Sequence, residues 1–128
     1  MSNHVKDLAV VLLAGGQSTR MMTDTPKQFM RVAGKTIIEH SFATLRQCVG
    51  DARFVVVAPP DAMEFTARLL GSAQNLAIVA GGSSRQESVF NALSSLKSNP
   101  PARILIHDAA RPFIACHTIQ EVVAALDV

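Results

Sequence analysis

Leu8-Ala-Val-Val-Leu-Leu13, then Ala14-Gly-Gly-Gln-Ser-Thr-Arg20, then Pro26-Lys-Gln-Phe29: the reading of this chain turns on these residues. The first six are an unbroken β-prone run of the length expected for a strand buried on both faces, as in a parallel sheet packed between helices. The run stops at Gly15-Gly16, where backbone can turn sharply and approach another molecule closely. Ser18 and Thr19 add hydroxyls, and Arg20 and Lys27 add fixed positive charges. Small residues, free N–H groups and cations just past a first strand suit a polyphosphate, so the loop is expected to grip a nucleoside triphosphate. The plainer reading is a strand-to-helix turn with solvated charges beside it. The loop is neither G-x-G-x-x-G nor a Walker loop, and Gly34-Lys35-Thr36 lacks the upstream glycine that a Walker loop needs. Lys35 is expected in a turn, with Thr36 as the N-cap of the next helix.

Working outward, strand and helix patterns alternate. Gln28 to Val32 reads as a short extended piece. A helix is expected from about Thr36 to Cys48, with Ile38, Phe42, Leu45 and Val49 along one face and Gly50-Asp51 closing it. Phe54 to Val57 is a second strand, ended by Pro59-Pro60. Asp61 is expected to cap a helix from about Ala62 to Leu70, with Met63, Phe65, Leu69 and Leu70 partly inward. Leu76 to Val79 is a third strand. Ser84 and Glu87 form a capping box that opens a helix with Val89, Leu93 and Leu96 as its buried face. Ile104 to Ile106 is a fourth strand, and a last helix from about His117 buries Ile119, Val122, Val123 and Leu126. Such alternation predicts right-handed crossovers and a parallel sheet covered on both faces, with ligands beyond the strand C-termini.

Two more strand ends carry chemistry. Gly81-Gly82-Ser83-Ser84-Arg85 meets a helix N-terminus, where free N–H groups and the macrodipole face a ligand. Glycines there let a base or ribose lie against backbone, and Arg85 and Ser88 can reach a pyrimidine edge. A plain turn with a capping box explains Ser84 and Glu87, but not a cation in the first helical turn. Asp108 follows the fourth strand directly. It is placed to hold Mg²⁺, which takes one or two carboxylates plus phosphate oxygens; otherwise it pairs with Arg111 or caps the next turn. His107 reads as structural, and His4, His40 and His117 have no evident partners.

Composition narrows the field. The 128 residues are 48% hydrophobic and 17% charged, as expected for one globular domain or part of one. A net charge of +2, with Lys and Arg scattered, gives no ground for a nucleic-acid or membrane partner. The two cysteines, Cys48 and Cys116, have no metal spacing, and reduced thiols in a cytosolic protein are expected. No apolar stretch has the length of a signal peptide or a membrane span.

Together these segments resemble the 2-C-methyl-D-erythritol 4-phosphate cytidylyltransferases of isoprenoid biosynthesis. The likeness is carried by Ala14-Gly-Gly-Gln-Ser-Thr-Arg-Met21 with Pro26-Lys-Gln-Phe29, by Gly34-Lys35 with Ile38, by Gly81-Gly82 with Arg85, Ser88 and Val89, and by His107-Asp-Ala-Ala-Arg-Pro112. They stand in the family's order over nearly the whole chain. The resemblance implies an α/β fold: a Rossmann-like three-layer sandwich with a mainly parallel sheet, of the nucleotide-diphospho-sugar transferase type. It implies an enzyme that joins CTP and a sugar-alcohol phosphate into a CDP-alcohol and pyrophosphate, with Mg²⁺ as cofactor. Arg20 and Lys27 match the family's catalytic cations. Ala14, Gly15, Gly16 and Ser18 match its triphosphate loop, Gly82, Ser83, Arg85 and Ser88 its cytosine-recognition segment, and Asp108 its metal and ribose contact. The family usually has alanine where Gly15 stands, glycine where Ser18 stands and often an acidic residue where Ser83 stands.

Family members are longer. Residues 1–128 are therefore expected to be a single nucleotide-binding domain without the family's C-terminal part, weakly active or inactive alone, and homodimeric and cytoplasmic in full-length form. A ribitol- or glycerol-type CDP-alcohol pyrophosphorylase is the nearest rival, and a nucleotide-binding module without catalysis is the alternative of another class. A generic Rossmann oxidoreductase lacks both its fingerprint and its ribose-binding acid.

Overall fold

The computed structural model describes residues 8–14, 26–71, 75–111 and 116–125. Strand β1 (Leu8–Leu13) is buried along its whole length. A 3-10 turn at Lys27–Phe29 leads into a small antiparallel hairpin, β2 (Arg31–Val32) and β3 (Lys35–Thr36). Then come α1 (Ile37–Cys48), β4 (Arg53–Ala58), a 3-10 turn at Pro60–Ala62, α2 (Met63–Leu70) and β5 (Leu76–Ala80). The chain continues through α3 (Arg85–Ser95), β6 (Arg103–Asp108) and α4 (Cys116–Ala125). The four long strands form one parallel sheet in the order β5-β4-β1-β6.

That order explains the layers. From β1 through β4 to β5 the chain steps one way across the sheet, so right-handed crossovers keep α1 and α2 on one face. It then jumps back past β1 to β6, which sends α3 to the other face. The first face packs Leu8, Val10, Leu12, Phe54 and Val56 against Ile38, Phe42 and Leu45 of α1 and Ile119 and Val123 of α4. The second packs Ala9, Val11, Leu13, Val55 and Val57 against Ala92 and Leu96 of α3. β1 and β4 are thus clothed on both sides, as their continuous apolar runs require.

Helix α1 follows its sequence closely. Thr36 is the N-cap, and the cap is reciprocal: the Glu39 N–H donates to Thr36 Oγ1 at 3.3 Å, and the Thr36 N–H donates to Glu39 Oε1 at 2.9 Å. Burial tends to raise the Glu39 pKa, but the hydrogen bonds from Thr36 and the charges of Arg31 and Lys35 outweigh it and hold the carboxyl below its ordinary value. Ile38, Phe42, Leu45 and Val49 are all buried.

Several expectations need correction. Gln28 to Val32 is not one extended piece, because Lys27–Phe29 closes a turn on the carbonyl of Pro26. Lys35 lies in β3; the turn residues are Ala33 at φ 54° and Gly34 at φ 86°. Asp61 caps nothing: it lies inside the 3-10 turn, and α2 starts without a side-chain cap. Thr66 is the only fully buried residue of α2, with its hydroxyl turned back on the Ala62 carbonyl.

Helix α3 packs Val89 and Leu96 of its expected face on the sheet, but not Leu93. Ser88 and Ala92 are buried, whereas Leu93 is 39% and Phe90 67% exposed. Small side chains at 88 and 92 let the helix lie close to Val55 and Val57, which a Leu93-centred face would prevent. In α4, Ile119 and Val123 are buried while Val122 is exposed, and Leu126 lies outside the described residues.

The cysteines also differ from expectation. Cys48 ends α1, Cys116 begins α4, and they form a disulfide with a Cα–Cα distance of 5.4 Å. The contact between α1 and α4 brings together two thiols 68 residues apart, a proximity that chain spacing could not reveal. No described helix is long and apolar enough to cross a membrane.

Candidate nucleotide site

The place where a doubly wound sheet reverses direction is where its loops part and leave a crevice. Here it lies between β1 and β6. The two strands run in register so that Asp108 stands opposite Leu13. Just past the ladder, the Ala109 N–H donates to the Leu13 carbonyl at 2.9 Å, and on the other side of β1 the Ala14 N–H donates to Val57 at 2.7 Å. The loop that begins at Ala14 and the turn that begins at Asp108 therefore leave the same sheet edge side by side.

Three side-chain bonds brace the β6 side, beside the Arg111 N–H to Asp108 carbonyl bond at 3.1 Å. Asp108 Oδ1 accepts the Ala110 N–H at 3.0 Å, the turn-capping role foreseen as one possibility; no ion pair joins Asp108 to Arg111. His107 Nε2 donates to the Arg111 carbonyl at 2.8 Å, which makes it structural as expected. The buried Ser41 hydroxyl of α1 donates to the Ala109 carbonyl at 2.7 Å. Asp108 itself is exposed, and its Oδ2 takes no part in the turn. No cluster of three or more His, Cys, Asp or Glu side chains that could cage a metal occurs among the described residues. One carboxylate with an oxygen to give fits Mg²⁺ shared with phosphate oxygens better than an all-protein cage.

On the β1 side, Ala14 is buried. Gly15, Gly16, Ser18 and Arg20 lie outside the described residues. The chain re-enters at Pro26. Lys27 is exposed on its turn while its neighbours Gln28 and Phe29 are buried. Phe29 packs edge-on against Phe65 at 5.2 Å between ring centroids. Gln28 Nε2 donates to the Ala14 carbonyl at 2.7 Å, joining the Lys27 turn to the end of β1. Sequence reasoning named Lys27 but missed Gln28 and Ser41. The signal for Gln28 was its place inside the Pro26–Phe29 motif; for Ser41 there was none.

The third constellation is set apart. β5 is separated from β1 by β4, so the Gly81 loop opens on the same edge but roughly 10 Å, two strand spacings, from the Ala14 loop. The first and fourth strand ends are neighbours; the third is not. Gly81 continues the ladder, with its N–H donating to the Ala58 carbonyl at 2.7 Å. The Gly82 N–H donates to Ser88 Oγ at 3.0 Å, and a Cβ at position 82 would collide with the Glu87 side chain. Ser84 receives the Glu87 N–H as a cap, but the Glu87 carboxylate accepts from the Ser83 N–H and hydroxyl, not from Ser84. The expected capping box is therefore shifted by one residue. Those two Ser83 bonds hold the Glu87 carboxyl below its ordinary pKa. The strapped loop leaves Ser83 and Arg85 exposed at the helix start. His40, without an evident partner in the sequence, lies 2.6 Å from the Val32 carbonyl through Nε2.

This strand order, with Ala14 and Asp108 leaving adjacent strand ends, has counterparts among known proteins. A family model described as 2-C-methyl-D-erythritol 4-phosphate cytidylyltransferase (IspD) matches residues 8–128. The chain belongs to that family.

Among its IspD relatives, the 2-C-methyl-D-erythritol 4-phosphate cytidylyltransferase of Cereibacter sphaeroides is 38% identical over 120 residues, 93% of this chain and 53% of the relative. The bifunctional enzyme IspD/IspF of Granulibacter bethesdensis is 39% identical over 121 residues, 94% of this chain and 31% of the relative. The chain thus spans about half the length of the single-function relative and under a third of the bifunctional one. The fold is also that of the bifunctional IspDF of Campylobacter jejuni, with a TM-score of 0.76 at 22% identity over 94% of this chain and 30% of that one. The 4-diphosphocytidyl-2C-methyl-D-erythritol synthase of Anaerococcus prevotii gives a TM-score of 0.74 at 21% identity over 94% of this chain and 51% of that one.

Proposed function

We propose that residues 1–128 form the nucleotide-binding domain of an enzyme that transfers CMP from CTP to 2-C-methyl-D-erythritol 4-phosphate and releases pyrophosphate. The observation that carries the reading is the juxtaposition at the β1/β6 switch point: Ala14 and Asp108 leave adjacent strand ends, and Lys27 is tied to the same edge through Gln28. An oxygen of the acceptor phosphate attacks the α-phosphorus in line, the bond to the pyrophosphate oxygen breaks, and charge accumulates on the equatorial and leaving oxygens. Such a step needs positioned cations and no covalent intermediate.

In this reading Ala14, Gly15, Gly16 and Ser18 cradle the triphosphate, and Arg20 and Lys27 face the developing charge. Gly82, Ser83, Arg85 and Ser88 form the cytosine end, set off along the sheet edge by the width of β4. Ser88 acts there by bonding the Gly82 N–H. Asp108 is the residue that would hold Mg²⁺, which when bound neutralises phosphate oxygens. The remainder of the site, and a homodimer, belong to the longer protein. The cytoplasm, which supplies CTP, is the compartment proposed.

The test is pyrophosphate release by the full-length protein with CTP and Mg²⁺, comparing methylerythritol phosphate with ribitol phosphate. Turnover with the first is expected. Turnover only with the second would move the protein to the ribitol-type pyrophosphorylases, and CTP binding without release on either would make it a non-catalytic module.

A further inference from the structure

Ala14 ends β1 and Pro26 opens the Lys27 turn, and a buried bond joins these two parts of the chain. Gln28 is 6% and Ala14 2% exposed, and the Gln28 amide nitrogen lies 2.7 Å from the Ala14 carbonyl oxygen. Ala14 is itself fixed, because its N–H continues the ladder to Val57. The turn is fixed from the other side. The Phe29 N–H donates to Pro26, the Met30 N–H to Lys27 and the Ile37 N–H to Met30, while the Phe29 ring packs on Phe65. Lys27 therefore stands one residue from a clasp whose halves belong to two separately anchored elements.

We infer that Gln28 is a positioning residue: its amide clasps the end of β1 to the Lys27 turn and so sets where Lys27 stands against the triphosphate. The inference rests on the transferase reading for what Lys27 does, but the clasp is a property of the chain itself. Geometry favours glutamine. The side chain must donate to a buried carbonyl, and an unmade bond there leaves that carbonyl unsatisfied. Methionine keeps the length without the donor. Asparagine keeps the donor but is one methylene short. Glutamate sets a carboxylate against a carbonyl oxygen and adds a negative charge beside the cation. A misplacement of about 1 Å in a reacting arrangement can lower turnover by roughly a hundredfold. Substrate binding is shared among many contacts and should change far less.

The experiment is a double-mutant cycle in the full-length protein with Gln28→Met, Lys27→Ala and both together. Gln28→Met is expected to lower kcat by roughly 10- to 100-fold with KM for CTP changed by less than about threefold. In the Lys27→Ala background the same change should cost almost nothing further, because the group it positions is gone. Equal losses in both backgrounds, or an unchanged kcat, would overturn the inference. Hydrogen exchange gives a readout independent of turnover: the Phe29 and Met30 amides, which close the Lys27 turn, should exchange faster in Gln28→Met, with those of α1 and β4 unchanged. If the wild-type protein transfers no cytidylyl group, the transferase reading fails; exchange that does not respond to Gln28→Met refutes the clasp whatever the reaction is.

Discussion

Replacing Cys48 with serine should destabilise the protein by an amount that the topology sets. The Cys48–Cys116 bond spans 68 residues, more than half of the 128-residue chain. Closing a loop of that length in the unfolded ensemble removes entropy corresponding to about 4 kcal/mol at 25 °C. With an unfolding entropy of ~2 cal/mol/K per residue, the loss lowers Tm by roughly 15 °C. The bond joins the C-terminus of α1 to the N-terminus of α4, and both helices cover the same sheet face. Reduction is thus expected to loosen α4 before the strands. The assay is thermal unfolding of wild type and Cys48→Ser, each with and without a dithiol reductant, beside a thiol titration of the native protein. Wild type should titrate no thiols and lose most of its extra stability on reduction, and Cys48→Ser should not respond to the reductant. Two reactive thiols in native protein prepared without reductant, or a Tm difference of only a degree or two, would refute the reasoning.

Three further outcomes are expected. Lys27→Ala in the full-length protein should cut kcat by roughly 10²–10³ while CTP affinity, read by calorimetry, stays within a fewfold, since its charge matters most in the transition state; equal losses would make it a binding residue only. Ala33→Asn should raise stability by roughly 0.5–1 kcal/mol in a urea titration, because Ala33 sits at φ 54° in a two-residue hairpin turn, a conformation that costs alanine more than asparagine. Glu39 has its carboxyl pKa lowered on folding from the ordinary 4.5, so the unfolded chain binds its proton first as pH falls. Its contribution is complete at neutral pH and drains away as pH drops below about 4.5 through the lower folded value, so the stability gap between wild type and Glu39→Gln should narrow over that range.

What was legible of the candidate site was local. Ala14 and Asp108 stand at the ends of apolar strand runs visible in the sequence, and a parallel sheet sends every strand's C-terminus to one edge. What was misread depended on partners distant in the chain. Leu93 looked buried by its period, yet α3 meets the sheet through Ser88 and Ala92 beside Val89 and Leu96 and leaves Leu93 exposed. Glu87 looked like the partner of Ser84 by its spacing, yet Ser83 took its carboxylate.

By itself the sequence determined the alternation of strands and helices, the full burial of β1 and the Thr36 start of α1, since each follows from side-chain periodicity or from groups within a few residues. Tertiary structure alone decided that β1 lies between β4 and β6 and so at the switch point, that Cys48 meets Cys116, and that Gln28 closes on Ala14. These are encounters between segments 14 to 95 residues apart. Packing of whole faces selects them, and no local pattern along the chain encodes which faces will meet.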